Sequence, residues 1–245
     1  MYQVIRSAAL GSVAFAVSCW MVTPIATARV KIPFKAPPSK PAPRRASTSQ
    51  GASRGLLCAQ STAQASMSVK ALVPESHYGL TSAERPTILA YLPETSATEV
   101  FFSIKSEDKR LHYETSLPIS GKAGLMSVTL PKNAPALESG KHYQWFLAVK
   151  CNNELRPSSP FVDGWIQRVP ADRTVSSVTA QSPSLQKAAS LGAAGYWYDT
   201  LATLTQLKQQ QPQNSEIAQS WRDVLEWTQF SEGELETLAT SDVLQ

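Results

Sequence analysis

Between residues 68 and 169 the chain alternates apolar and polar positions in short runs. Seven runs read as strands: 68–73, 86–92, 98–105, 110–117, 125–130, 142–150 and 160–168. Leu111, Tyr113, Thr115 and Leu117 recur with period two, as do Tyr143, Trp145, Leu147 and Val149. That period turns one side of a strand to a core and the other to water. The breaks are built from turn formers: Pro93, Glu107-Asp108, Gly121 to Gly124, Pro131 to Gly140, and Asn152 to Pro157. After Pro170 the period becomes helical. Leu185, Ala188, Ala189 and Gly192 share one face. Trp197, Leu201, Leu204 and Leu207 share the next, and Ile217, Trp221 and Val224 a third. Ser182-Pro183 reads as a helix start, Pro212 and Asn214 as a stop and restart, and Ser231 with Glu234 as a capping box.

Seven short strands at this spacing predict a seven-stranded β-sandwich of the immunoglobulin or fibronectin kind, mainly β with α. Tyr143 stands at the start of the sixth run, after Leu137-Glu-Ser-Gly-Lys-His. It is a candidate tyrosine corner, whose hydroxyl bonds back to backbone a few residues upstream. The run Gly195-Tyr-Trp-Tyr-Asp199 to Pro212 resembles the second half of a tetratricopeptide repeat, so the fold expected is a sandwich followed by a small tetratricopeptide-like helical extension. One repeat cannot bury its own face, so these helices are expected to pack on the sandwich or on each other, with the aromatic stripe in the core.

The start of the chain adds a processing signal. Arg6, an apolar run from Ala8 to Val22, and Ala26-Thr-Ala28 have the three parts of a cleavable secretory signal peptide. The run is shorter than the roughly 20 apolar residues of a spanning helix. The organisation expected is therefore a signal peptide over 1–28, an arm over 29–57, a sandwich over 58–170 and a helical extension over 181–245. Export places the mature chain in the periplasm or outside the cell. Cleavage removes Cys19 and leaves Cys58 and Cys151, an even number that suggests a disulfide in an oxidising compartment.

Charge sharpens this picture. The whole chain carries +4, yet all of its acidic side chains lie beyond residue 54. Residues 29–54 hold Arg29, Lys31, Lys35, Lys40, Arg44, Arg45 and Arg54, so the excess of positive charge belongs to the arm. With its prolines and serines the arm is expected to be extended and disordered. After export it meets no nucleic acid. The expectation is a solvated spacer, or weak contact with an anionic surface through residues 29–54.

Candidate chemistry is sparse. The three histidines are His77, His112 and His142. There is no Gly-x-Ser-x-Gly elbow, no Cys/His set at zinc spacing and no phosphate loop. Ser184-Leu-Gln-Lys187 matches Ser-x-x-Lys without its partner motifs. No cofactor, metal or catalytic residue is expected. The most site-like stretch is the polar, aromatic loop 75–87. Its His77, Tyr78, Glu84 and Arg85, taken with Asp163, Trp165 and Arg168, form the candidate ligand or partner site.

Three blocks then carry a family resemblance. The first is Ser53-Arg-Gly55 to Cys58 with Ala71-Leu-Val-Pro74. The second is Tyr78-Gly-Leu-Thr81, Glu84-Arg-Pro-Thr87 and Tyr91-Leu-Pro93. The third is Gly140-Lys-His-Tyr143-Gln-Trp145, Val149-Lys-Cys151, Val162 to Arg168 and Gly195 to Asp199. Over residues 53–229 the chain resembles the cyanobacterial domain of unknown function 928 family. The resemblance implies an exported protein, with no assigned activity and no catalytic residues to carry over. It adds weight to the pairing of Cys58 and Cys151, which both fall in its motifs. The function expected is a non-enzymatic envelope scaffold or protein-interaction module, with an envelope protein or wall polymer as partner. The alternatives are a carbohydrate- or wall-polymer-binding module, should Trp145, Trp165 and nearby tyrosines face outward, and a hydrolase of unrecognised type.

Overall fold

Each of the seven alternating runs becomes a strand. The computed structural model describes residues 29–37 and 68–244, and among them it holds nine strands and five helices. The strands are β1 (Lys70–Ala71), β2 (Tyr78–Thr81), β3 (Thr87–Leu92), β4 (Glu99–Ser106), β5 (Leu111–Pro118), β6 (Gly124–Thr129), β7 (His142–Val149), β8 (Phe161–Arg168) and β9 (Val243–Leu244). They form two sheets, ordered β1-β3-β6-β9 and β2-β8-β7-β4-β5. The period-two faces account for the core between them. Tyr143, Trp145, Leu147 and Val149 of β7 are buried, as are Val100, Phe102 and Ile104 of β4. His142, Gln144 and Phe146 turn to the opposite face and are half-buried.

Two strands lie where none is expected. β2 falls inside the stretch read as a loop and pairs parallel to β8, from Tyr78 opposite Trp165 to Thr81 opposite Arg168. Four residues containing a glycine are too short and too weakly patterned to stand out. β9 pairs parallel to β6 through only Val243 and Leu244.

The helices are α1 (Arg173–Thr179), α2 (Leu185–Ala193), α3 (Trp197–Gln210), α4 (Ser215–Leu225) and α5 (Glu232–Thr240). Asn214 caps α4, and Ser231 with Glu234 forms the capping box of α5. α2 starts after Ser184 rather than at Ser182. The Ser184 hydroxyl accepts the Lys187 N–H at 3.1 Å, and that capping role explains the Ser-x-x-Lys match without catalysis. α1 offers only Val175 and Val178 as apolar positions, too short a stripe to stand out in the sequence.

α3 fastens the helices to the sandwich through its first turn. The Trp197 indole donates to the Leu72 carbonyl at 2.9 Å. The Tyr198 hydroxyl donates to the Trp165 carbonyl at 3.0 Å and accepts from the Trp145 indole at 2.8 Å. Asp199 accepts the Ser82 N–H at 3.1 Å. Gly79 makes this approach fit: a β-carbon there would stand 2.9 Å from both Trp197 and Tyr198 side-chain atoms. The helical segment is thus built onto the sandwich, and its stripe of Trp197, Leu201, Leu204 and Leu207 is core.

The arm expectation fails for residues 29–37. Ile32 is fully buried and Phe34 nearly so, while Lys31, Pro33 and Lys35 between them are exposed. The Phe34 ring meets Trp197 edge-on with centroids 4.8 Å apart. The Lys35 N–H donates to the Gly192 carbonyl at 3.0 Å, and Arg29 pairs with the buried Asp223 of α4. Basic and proline residues mask a short alternating strap whose apolar side covers the helices. The expected signal peptide, the rest of the arm and Cys58 lie outside the described residues.

Candidate cleft between the two sheets

Among the described residues, the strap and helices leave one side of the sandwich uncovered next to β8. β2 pairs only with Trp165–Arg168 of that strand. Phe161–Gly164 therefore have no neighbouring strand on this side among the described residues. A cleft of about 410 Å³ runs there, between β8 and β1, and is closed at one end by Thr228 to Phe230. That volume falls in the range of about 300–1,000 Å³ common to ligand sites. Period-two geometry gives the cleft two chemistries. Val162 points toward the sheet interior, where Val69 and Val73 add apolar wall. Phe161 and Asp163 point the other way, and His77 stands at the rim.

Asp163 is the distinctive group. It is 9% exposed. Gln144, on the neighbouring β7, donates to its Oδ2 at 2.7 Å. Burial pushes its carboxyl above the usual range, against the opposing pull of the Gln144 bond and the His77 charge. On its own face it has Phe146 directly across the strand pair, with Phe161 and Trp165 two residues away on either side. No cation forms an ion pair with it among the described residues. Two lysines of the surrounding strands have partners elsewhere. Lys105 lies over the Phe146 ring at 5.9 Å, and Lys70 pairs with Glu234 at 2.8 Å.

The residues singled out from sequence separate into two groups. His77 and Asp163 share the cleft, and His77 takes φ of 55° where it turns the chain into β2. Tyr78 and Trp165 sit side by side on the outer face of the five-stranded sheet. The Tyr78 hydroxyl donates to Gln167, and burial with the nearby Glu107 charge pushes its pKa up to about 12. Trp165 is buried, and its indole N–H has no partner among the described residues. Glu84, Arg85 and Arg168 lie at the far end of β8, about 16 Å from Asp163 along the strand. There they brace the loop before β7. Arg168 donates to Leu137 O at 2.8 Å and to Glu84 at 2.9 Å, and Arg85 donates to Pro131 O and Ala134 O. The same loop is held by Tyr143, whose hydroxyl accepts the Glu138 N–H at 2.9 Å.

Trp145 faces fully inward, and Trp165 is nearly covered. The neighbouring ring pairs Phe146–Phe161 and Tyr78–His142 are tilted by 43° and 40°. The coplanar, outward rings on which a sugar-stacking surface depends are therefore not formed by these residues. Sequence reasoning missed Gln144, Phe161 and the β1 wall. Gln144 was legible as the polar position opposite Trp165, but nothing in the sequence pairs β1 with β8 across an open edge.

The fold and cleft define a two-sheet β protein with a helical layer and an open flank beside β8. The chain belongs to the family described as Domain of Unknown Function (DUF928), whose model matches residues 49–241. No curated protein matches it. Much of the family resemblance now has a structural meaning. Gly79, Trp197, Tyr198 and Asp199 form the joint between sandwich and helices, and Glu84, Arg85, Tyr143 and Arg168 brace one loop. The docked strap at 29–37 precedes the matched segment.

Proposed function

We propose that the chain is a non-enzymatic binding module of the cell envelope that grips an extended segment of a partner protein in the cleft beside β8. The observation that carries this reading is the half-paired strand. Among the described residues Phe161–Gly164 offer a strand edge without a neighbour, and the cleft beside it has apolar wall on one side of the sheet plane and polar groups on the other. An added strand presents alternate side chains to both. Export rests on the N-terminal signal pattern, and the proposed Cys58–Cys151 disulfide would tie the arm to the end of β7. No helix of the described residues is long and apolar enough to cross a membrane.

The immunoglobulin-like reading is supported by strand order. β1-β3-β6 and β5-β4-β7-β8 follow the A-B-E and C′-C-F-G orders of that sandwich, and Tyr143 bonds back to backbone five residues upstream from the F position. The tetratricopeptide-like reading has support in the buried stripe of α3 and in the turn after Gln210, although a lone pair of helices here packs on strands.

A hydrolase is the second reading, because Ser68, Thr228, His77 and Asp163 line one cleft. Asp163 bonds to Gln144 rather than to His77, so the orienting bond of a triad is not made. The two readings separate experimentally. Ala71→Trp fills the cleft and abolishes partner capture if the cleft binds, while Ser68→Ala leaves capture intact. Capture that survives Ala71→Trp sinks the binding site. Labelling of the chain by a fluorophosphonate probe that disappears in Ser68→Ala would establish the hydrolase instead.

A further inference from the structure

Resting on the cleft reading above, we propose that the cleft selects a basic side chain: the docked segment is an extended peptide that places a lysine ammonium or arginine guanidinium against Asp163. Four observations converge on an organic cation. Asp163 is nine-tenths buried, and it is held in place by a neutral donor, Gln144. No cation of the described residues forms an ion pair with it. Its surroundings on the same face are the aromatic rings of Phe146, Phe161 and Trp165. A cation already on that face, Lys105, lies over the Phe146 ring at 5.9 Å, so that ring takes positive charge in its present arrangement.

A carboxylate flanked by rings favours a cation twice. It supplies charge, and the ring faces supply their negative quadrupole. A carboxylate withdrawn from water without a cation is energetically costly, and burial accordingly biases Asp163 toward its neutral form. A bound ammonium would relieve that cost. Geometry sets the register. An extended segment beside Phe161–Gly164 places every second side chain on the Asp163 face and the intervening ones against Val162, Val73 and Val69. The occupant is therefore a strand-forming segment with a basic residue between two apolar ones, such as valine-lysine-valine. Of the basic side chains lining the cleft among the described residues, Lys70 is held by Glu234, and the His77 imidazole at the rim would compete for Asp163.

Two probes test this by amide chemical-shift mapping on the purified chain. One is an acetylated, amidated pentapeptide of valine alternating with polar residues and a central lysine. The other is its norleucine twin, equal in length and apolar stem but uncharged. The expected result is shifts at Ala71, Val162 and Asp163, at least tenfold tighter binding of the lysine peptide, and collapse of that preference to less than threefold in Asp163→Asn. Equal affinity of the two peptides for the unaltered chain overturns the cation selection while leaving the cleft as a peptide site. Shifts at none of the three amides with either peptide overturn the cleft reading itself. The comparison of probes on the unaltered chain stands whether or not the variant folds.

Discussion

Phe34→Ala removes the strap's largest apolar contact, and its cost follows from the packing. Phe34 is 5% exposed. It meets Trp197 edge-on with centroids 4.8 Å apart, and Trp227 at 6.1 Å. Truncating a buried phenylalanine costs about 3–5 kcal/mol, including the cavity left behind. Edge-on aromatic pairs contribute about 0.5–1.5 kcal/mol within such totals. Because the strap can partly collapse onto α3, the lower part of the range applies, about 3–4 kcal/mol. For a chain of this size that lowers the melting temperature by about 10 °C. The assay is equilibrium urea unfolding followed by tryptophan fluorescence, since Trp197 and Trp227 both flank the ring. Lys31→Ala, at an exposed position of the same strap, is the control and stays within about 0.5 kcal/mol. A Phe34→Ala loss below about 1 kcal/mol, or one equal to the control, would refute the claim that residues 29–37 are part of the folded body.

Three further outcomes are expected. Gly79→Val drives its side chain into Trp197 and Tyr198 and destabilises the chain by about 1–3 kcal/mol, read by the same unfolding assay. Asp163→Asn changes the pH dependence of stability. The native carboxyl titrates above its unfolded value of about 4, so over that window the native state holds a proton the unfolded chain has released. The Asp163 contribution therefore falls as pH rises. The variant gains on the unaltered chain as pH rises above about 4, and a pH-independent difference contradicts the assignment. Intact mass of the chain from its native host begins at Arg29 and increases by two hydrogens on reduction; a retained Met1 contradicts processing, and an unchanged mass contradicts the Cys58–Cys151 bond.

The strands were legible where alternation ran for six residues or more, as in β4, β5 and β7, because one face is core and the other solvent. β2 and β9 were not, since each depends on a parallel neighbour distant in sequence rather than on its own pattern. The strap shows the opposite failure. Ile32 and Phe34 alternate with Lys31, Pro33 and Lys35, a readable signal that composition outweighed. At the site, His77 could be singled out within the polar, aromatic loop 75–87, and Asp163 as a charged position among the apolar residues of its strand. Their sharing of one cleft depends on β2 stopping short along β8, and no local pattern encodes where a partner strand ends. The same stretch drew in Glu84, Arg85 and Arg168, whose charge serves the loop before β7 instead.

The cleft is tested most directly by a photo-cross-linking amino acid placed at Ala71, in the chain expressed and exported in its native host. A second copy carries it at Lys132, outside the cleft. Adducts are expected at position 71 and none at 132, with mass spectrometry locating the attachment in a partner segment that has a lysine or arginine flanked by apolar residues. Adducts equal at both positions, or attachment at position 71 only to residues 38–67 of the same chain, would contradict it.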